Sequence, residues 1–310
     1  MNSNPDIVGM ALIDAFAQRG YRAELPTPGT VAVTLRDGTR VQADIAEWRS
    51  HAGRNARSAL PGIAAQYADQ AVGAFEGRPA PAPGGGGPDT GDLRVRLYHE
   101  NALDERMRAA LLTRPLAEGL LQTVVVDRPD SMSPLNRTEL GGLGEAEAFG
   151  AALTHSIERE PHYVQANDVQ GLKIVTIGGQ HRYVAAHVHV LRRYVPGPLP
   201  FGALVTFPLP EYVMVHEIGM DRHVVVAMKT LQDTAGTFAA TGEKPISPRV
   251  YWWRPGDYEA MPEREALHGG RVPDLRLVGV QVEQGEEGLK VSVAGEATAE
   301  LVRGWEAARR

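Results

Sequence analysis

Apolar residues recur every four positions at Val8, Leu12 and Phe16, and Gly20 follows where a helix would end. The spacing predicts a helix over residues 6–19. A strand is predicted around 21–25. The pattern then changes to period two. Val31, Val33 and Leu35 alternate, Asp37-Gly38 intervenes, and Val41, Ala43 and Ile45 alternate again. Asp-Gly between alternating runs marks a hairpin, because both residues accept the positive φ of its turn. Helical spacing returns over 48–75, with Pro61 as a break or as a first-turn residue of the second half. The first quarter therefore predicts an α-β-β-β-α two-layer unit, residues 1–77.

The periodic pattern stops at residues 77–92, GRPAPAPGGGGPDTGD, which hold nothing apolar to bury. A linker is expected over 78–92, stiff where proline dominates and flexible where glycine does. The glycines do not form a phosphate loop, since no Gly-Lys-Ser/Thr follows them. Beyond the linker, strands are predicted at 93–98, 121–126, 172–177, 203–207, 211–218 and 250–253. A hairpin is predicted from 275–282 and 289–293. Helices are predicted at 103–112, near Asn136, around Phe149, Leu153 and Ile157, and at 297–308. Asp221 is positioned to cap one more, with the stripe Val224, Met228, Leu231, Ala235 and Phe238. Residues 181–195 fit period two and helical spacing equally well. The expected fold class is α+β: the N-terminal unit, then a larger domain over 93–310 with a mainly antiparallel sheet and helices packed on it.

Composition narrows the function classes. Net charge is -6, which lacks the basic footprint phosphate backbones demand, so nucleic acid is not an expected partner. The chain has no cysteine, which excludes disulfides, thiolate catalysis and cysteine-ligated zinc. The N-terminus lacks a basic segment before its apolar run, and no apolar stretch is long enough to span a bilayer. The expectation is a cytoplasmic protein without a membrane partner.

Three passages carry a family resemblance: LLQTVVVDRPDSMSPLNRTEL, then LGEAEAFGAAL, then ALVTFPLPEYVMVHEIGMDRHVVVAMKTLQD continued by ISPRVYWW. Their order and hydrophobic spacing resemble the YtpQ-like family of unknown function over residues 93–255. Family members tend to place Trp-Gly where this chain has Leu143-Gly144. The resemblance implies an α+β fold and a helical form for 181–195. It implies no reaction, cofactor or catalytic residue. The N-terminal unit has the element order of small secretion-chaperone-like folds, an analogy of fold alone.

Imidazoles and carboxylates are the ligands zinc or non-haem iron would use, which makes His187, His189, His216, Glu217, Asp221 and His223 candidates for a divalent metal. On a strand His187 and His189 would share a face; on a helix they would stand about 200° apart. His216 and Glu217 are adjacent on a predicted strand and so face opposite ways. Asp127 and Asp130 follow a buried strand and could hold Mg²⁺ or act as acid and base, although Asp-x-Pro-Asp-Ser is also ordinary turn chemistry. No nucleophile elbow or dinucleotide fingerprint occurs. Trp252 and Trp253, flanked by Arg249 and Arg254, must point to opposite faces of a strand, so one can anchor a partner. The expectation is a non-catalytic protein-binding module (adaptor, chaperone-like or inhibitor) without a cofactor. The alternative is a metal-dependent hydrolase using the histidines and aspartates.

Overall fold

The computed structural model describes residues 6–36, 38, 40–76, 87–128, 131–285 and 288–310. The chain divides into two units, Met1–Gly84 and Gly85–Arg310.

In the first unit, helix α1 (Ile7–Gln18) starts at Asp6, whose carboxylate accepts the Gly9 N–H at 2.9 Å. Strands β1 (Arg22–Thr27), β2 (Thr30–Thr34) and β3 (Arg40–Asp44) form an antiparallel sheet in that order. Val31 pairs with Ala43 and Val33 with Val41, as the alternation requires. Asp37 lies outside the described residues; Gly38 has φ 85°. The long helical segment divides into α2 (Ala46–Gly53) and α3 (Leu60–Glu76), and Pro61 sits in the first turn of α3. There its missing N–H costs no hydrogen bond. Leu12, Phe16, Val31, Val33 and Ile45 close the core between helices and sheet.

In the second unit, the end of the expected linker is folded. Asp89 accepts from the Gly91 N–H at 2.8 Å and closes a single turn, Thr90–Asp92. Strand β4 (Leu93–His99), helix α4 (Glu105–Ala110), and strands β5 (Thr113–Ala117), β6 (Leu120–Arg128) and β7 (Ser131–Pro134) follow. Strand β6 is the centre of this small antiparallel sheet. The helix expected at Asn136 is one turn, Arg137–Glu139, and α5 (Glu145–Glu158) comes next. It buries Phe149, Leu153 and Ile157 against Leu93, Val95 and Val124.

Strands β8 (His162–Val169), β9 (Leu172–Gly179), β10 (Ala203–Leu209) and β11 (Tyr212–Glu217) belong to a larger sheet. Helix α6 (Val224–Thr241), strand β12 (Val250–Arg254), short helices α7 (Asp257–Ala260) and α8 (Glu263–His268), strands β13 (Asp274–Gly285) and β14 (Gly288–Ala294), and helix α9 (Gly295–Ala308) complete the chain. The large sheet has the order β14-β13-β12-β10-β11-β9-β8, and its described pairings are all antiparallel.

Both faces of this sheet are covered over its central strands. On one face Ile174, Met214, Trp252 and Val278 pack under Met228 and Leu231 of α6 and Leu301 and Trp305 of α9. On the other, Val205, Val213, Val215 and Trp253 pack on the segment Val184–Arg193, with Leu97, Leu116 and Leu120 of the small sheet beyond it. Val184–Arg193 is a run of tight helical turns broken at Val190, φ −130°. Its residues 184–191 are all buried, so apolar character on every side explains why periodicity does not identify it.

Candidate functional site

Strand β8 is the outer strand of the large sheet and among the described residues pairs only with β9, in unbroken register from His162↔Gly179 to Val169↔Leu172. A two-residue turn joins them. Gln170 and Gly171 have φ 53° and 75°, the positive pair a type I′ turn requires. The Asp168 carboxylate accepts the Gly171 N–H at 2.6 Å. In such a hairpin the residues flanking the turn are a hydrogen-bonded pair. Val169, Asn167, Gln165 and Tyr163 therefore direct N–H and C=O at β9. Asp168, Ala166, Val164 and His162 direct theirs outward. Residues His162–Asp168 are exposed on both faces, with Tyr163 and Val164 at 46% and 50%. Devices that usually blunt a free edge are missing: β8 holds no proline, lysine or bulge.

One face of this edge continues into an aromatic strip. Tyr163 pairs with Gly178, which pairs with Tyr212. Gly178 has no side chain, so the Tyr163 ring leans across it and hydrogen-bonds Tyr212. Tyr212 meets Phe238 of α6 at 5.8 Å between centroids, and Phe238 is itself 38% exposed.

On the opposite face the head of β8 forms part of an imidazole corner. The His162 and His187 rings lie 4.2 Å apart. His187 Nδ1 is 2.5 Å from the Tyr194 hydroxyl, which is 3.3 Å from His162 Nε2. His181 Nε2 donates to the Pro161 carbonyl at 3.1 Å, and its ring stacks on Tyr183. His187 is fully buried, and its Nε2 has no hydrogen-bond partner among the described residues. Burial, then the neighbouring His162, His181 and Arg193, holds its pKa down at about 3, so the ring is neutral. Burial also lowers His181.

The structure sends the predicted histidines to separate places. His189, two residues from His187, turns the other way: Nδ1 is 2.6 Å from the Tyr258 hydroxyl, and Nε2 contacts the Gln122 side chain. Arg114 completes that network through Gln122 at 3.0 Å and lies over the Phe149 ring at 4.2 Å. Burial depresses Arg114 to about 10 and His189 well below its ordinary value. His216 donates from Nδ1 to the Lys173 carbonyl at 2.9 Å, and burial lowers it against the pull of Asp221 and Glu217. Glu217 and Asp221 are exposed. His223, not Asp221, caps α6, accepting the Val225 N–H at 3.3 Å. Among the described residues no three histidines or carboxylates form a metal-holding group.

Asp127 lies on β6 opposite Met132 and accepts a hydrogen bond from Tyr183, whose pKa burial and that carboxylate raise. Asp130 lies outside the described residues. The expected aromatic anchor is corrected. Trp252 and Trp253 do face opposite ways, but both faces of the sheet are covered, leaving them 7% and 0% exposed. Their indole N–H groups donate to the Phe201 carbonyl at 2.7 Å and to Glu259 at 2.8 Å. Arg254 lies over Trp252 and pairs with Glu300 at 3.1 Å, while Arg249 is exposed.

Sequence reasoning missed β8, and with it His162, Tyr163 and the corner shared with His181 and Tyr194. The available signal was Gln170-Gly171 between two runs of strand length, a turn dipeptide of hairpin spacing. No described helix is long and apolar enough to cross a membrane. Comparison with known proteins finds no matching family model, curated protein or solved structure.

Proposed function

We propose that the chain is a non-catalytic protein-binding module whose recognition element is the free edge of β8. The single observation that carries this reading is the outward row of N–H and C=O groups at His162, Val164, Ala166 and Asp168, unbroken and unguarded. An extended polypeptide supplies the complementary row and adds itself as a further strand. Main-chain hydrogen bonds then provide the affinity, and Tyr163 with its strip provides apolar contact on one face. The buried rings support the reading, because His189 spends both ring nitrogens, and His216 its Nδ1, on internal partners. An adaptor, a chaperone-like protein or an inhibitor would use such an edge alike. The likeness to the YtpQ-like family stays a proposal about lineage and adds no activity.

The test is Ala166→Pro. It deletes an outward N–H but none that β9 uses, and proline is tolerated at such an edge position. We expect the variant to keep the wild-type circular dichroism spectrum and to lose the dominant partner that wild-type protein recovers in affinity capture. Equal recovery by both would refute the assignment.

A second reading, hydrolytic chemistry at the imidazole corner, has one observation in its favour: the buried, unpartnered Nε2 of His187. Stoichiometric zinc or iron in purified protein, lost on His187→Asn, would establish it over the first.

A further inference from the structure

Resting on the reading that β8 is the recognition edge, we infer that its partner is a second copy of this chain, joined antiparallel about a two-fold axis at Gln165. A strand that pairs with itself across an axis normal to the sheet keeps each side chain on its own face. Directly opposed residues must then share parity, which leaves few registers. Centred on Gln165, His162 opposes the partner's Asp168, Val164 the partner's Ala166, Tyr163 the partner's Asn167, and Gln165 its own counterpart. Every cross-strand pair is compatible: imidazole with carboxylate, apolar with apolar, phenol with amide, amide with amide. The four residues with outward N–H and C=O groups all fall in hydrogen-bonded pairs, each exchanging two bonds.

The neighbouring registers are worse. A shift one way sets Asp168 against Glu160 of the partner, carboxylate against carboxylate. A shift the other way sets the apolar Val164 against the partner's Asp168. The described edge therefore carries a preferred self-register, written in residues that its own sheet leaves exposed. Pairing would join two seven-stranded sheets and continue the Tyr163–Tyr212–Phe238 strip of each copy towards that of the other.

The chain has no cysteine, so a single introduced thiol reports the register directly. Opposed residues at a non-hydrogen-bonded position come within disulfide reach, whereas those displaced by two residues do not. In Gln165→Cys, mild oxidation is expected to yield a covalent dimer; in Val164→Cys it is not. Sedimentation of the wild-type full chain should show a reversible dimer. Its dissociation constant should rise about tenfold or more in Ala166→Pro, which deletes two intermolecular hydrogen bonds. It should also rise in Gln165→Glu, which sets like charges at the axis without touching the internal fold.

A monomeric wild-type protein would overturn the inference. If its captured partner were still lost with Ala166→Pro, the edge reading would stand and only the second copy would fall. A dimer that persists in both variants would overturn the inference, and the edge reading would fall with it if Ala166→Pro also recovered the dominant partner as wild type does. Equal cross-linking of the two cysteine variants would refute the register and the pairing argued from it.

Discussion

The sharpest consequence of the imidazole corner is a dependence of stability on pH in which the share of one side chain can be isolated. His187, one contributor among several, is buried without exposure, and its pKa of about 3 lies well below the ordinary 6.5. A depressed folded-state pKa means that the unfolded chain binds the proton more readily. The stabilisation is therefore complete above about pH 6.5 and is lost as pH falls towards 3. Between pH 7.5 and pH 5 this histidine alone should remove about 2 kcal/mol of unfolding free energy. His181, His189 and His216 are depressed by burial and add losses of the same sign, so the wild-type slope cannot be assigned to one ring. The comparison must be with His187→Asn, which cannot titrate but keeps a hydrogen-bonding atom near Tyr194. Urea unfolding followed by fluorescence, in a Trp48→Phe background that restricts the signal to the second unit, gives the free energy at each pH. Any packing defect of the variant is present at both pH values and cancels. We expect wild type to lose about 2 kcal/mol more than the variant on acidification. Equal losses, within about 0.5 kcal/mol, would show that the folded ring titrates as it does in the unfolded chain and is not held neutral by burial.

Further outcomes follow from packing and can be read by the same denaturation assay. Trp253→Ala should cost about 3–5 kcal/mol, since it empties a fully buried site and strands Glu259; a loss under about 1.5 kcal/mol would contradict the burial. Ser156→Ala should cost about 1–3 kcal/mol, because Ser156 Oγ accepts the buried Val95 N–H at 2.9 Å. Two glycines should separate cleanly. Gly202 has φ 71°, and a Cβ there would strike the Trp253 carbonyl, so Gly202→Ala should cost more than about 2 kcal/mol. At Gly178 the atoms nearest the added methyl belong to the half-exposed Tyr163 ring, which can swing aside, so Gly178→Ala should cost under about 1 kcal/mol.

How far the sequence reveals the structure depends on how each element is buried. The capped helix at Asp6, the hairpin of β2 and β3 and the stripe on α6 are legible because each has one buried face and so a clean period. The runs in β10 and β12 are apolar at nearly every position, and that continuity is itself the sign of a strand covered on both sides. It places both tryptophans inside, which a one-sided sheet would not. The missing strand fails for the opposite reason. Only Val164 and Ala166 alternate with Gln165 and Asn167, too short a run to mark a strand, because the residues of β8 up to Asp168 are exposed. The site is harder to read than the fold: His162 meets His187 only because β8 begins where the segment after β9 turns inward, a contact that spacing along the chain does not encode.

That inward segment, Val184–Arg193, is a connection by its place in the chain and core by its surroundings. Connections usually run over the surface, where insertions add length at little cost. Here extra residues could not be shed into water; they would have to displace side chains from between two sheets. Residues 184–191 should therefore tolerate insertion poorly, and a single peptide-bond cleavage among them should open two cores at once.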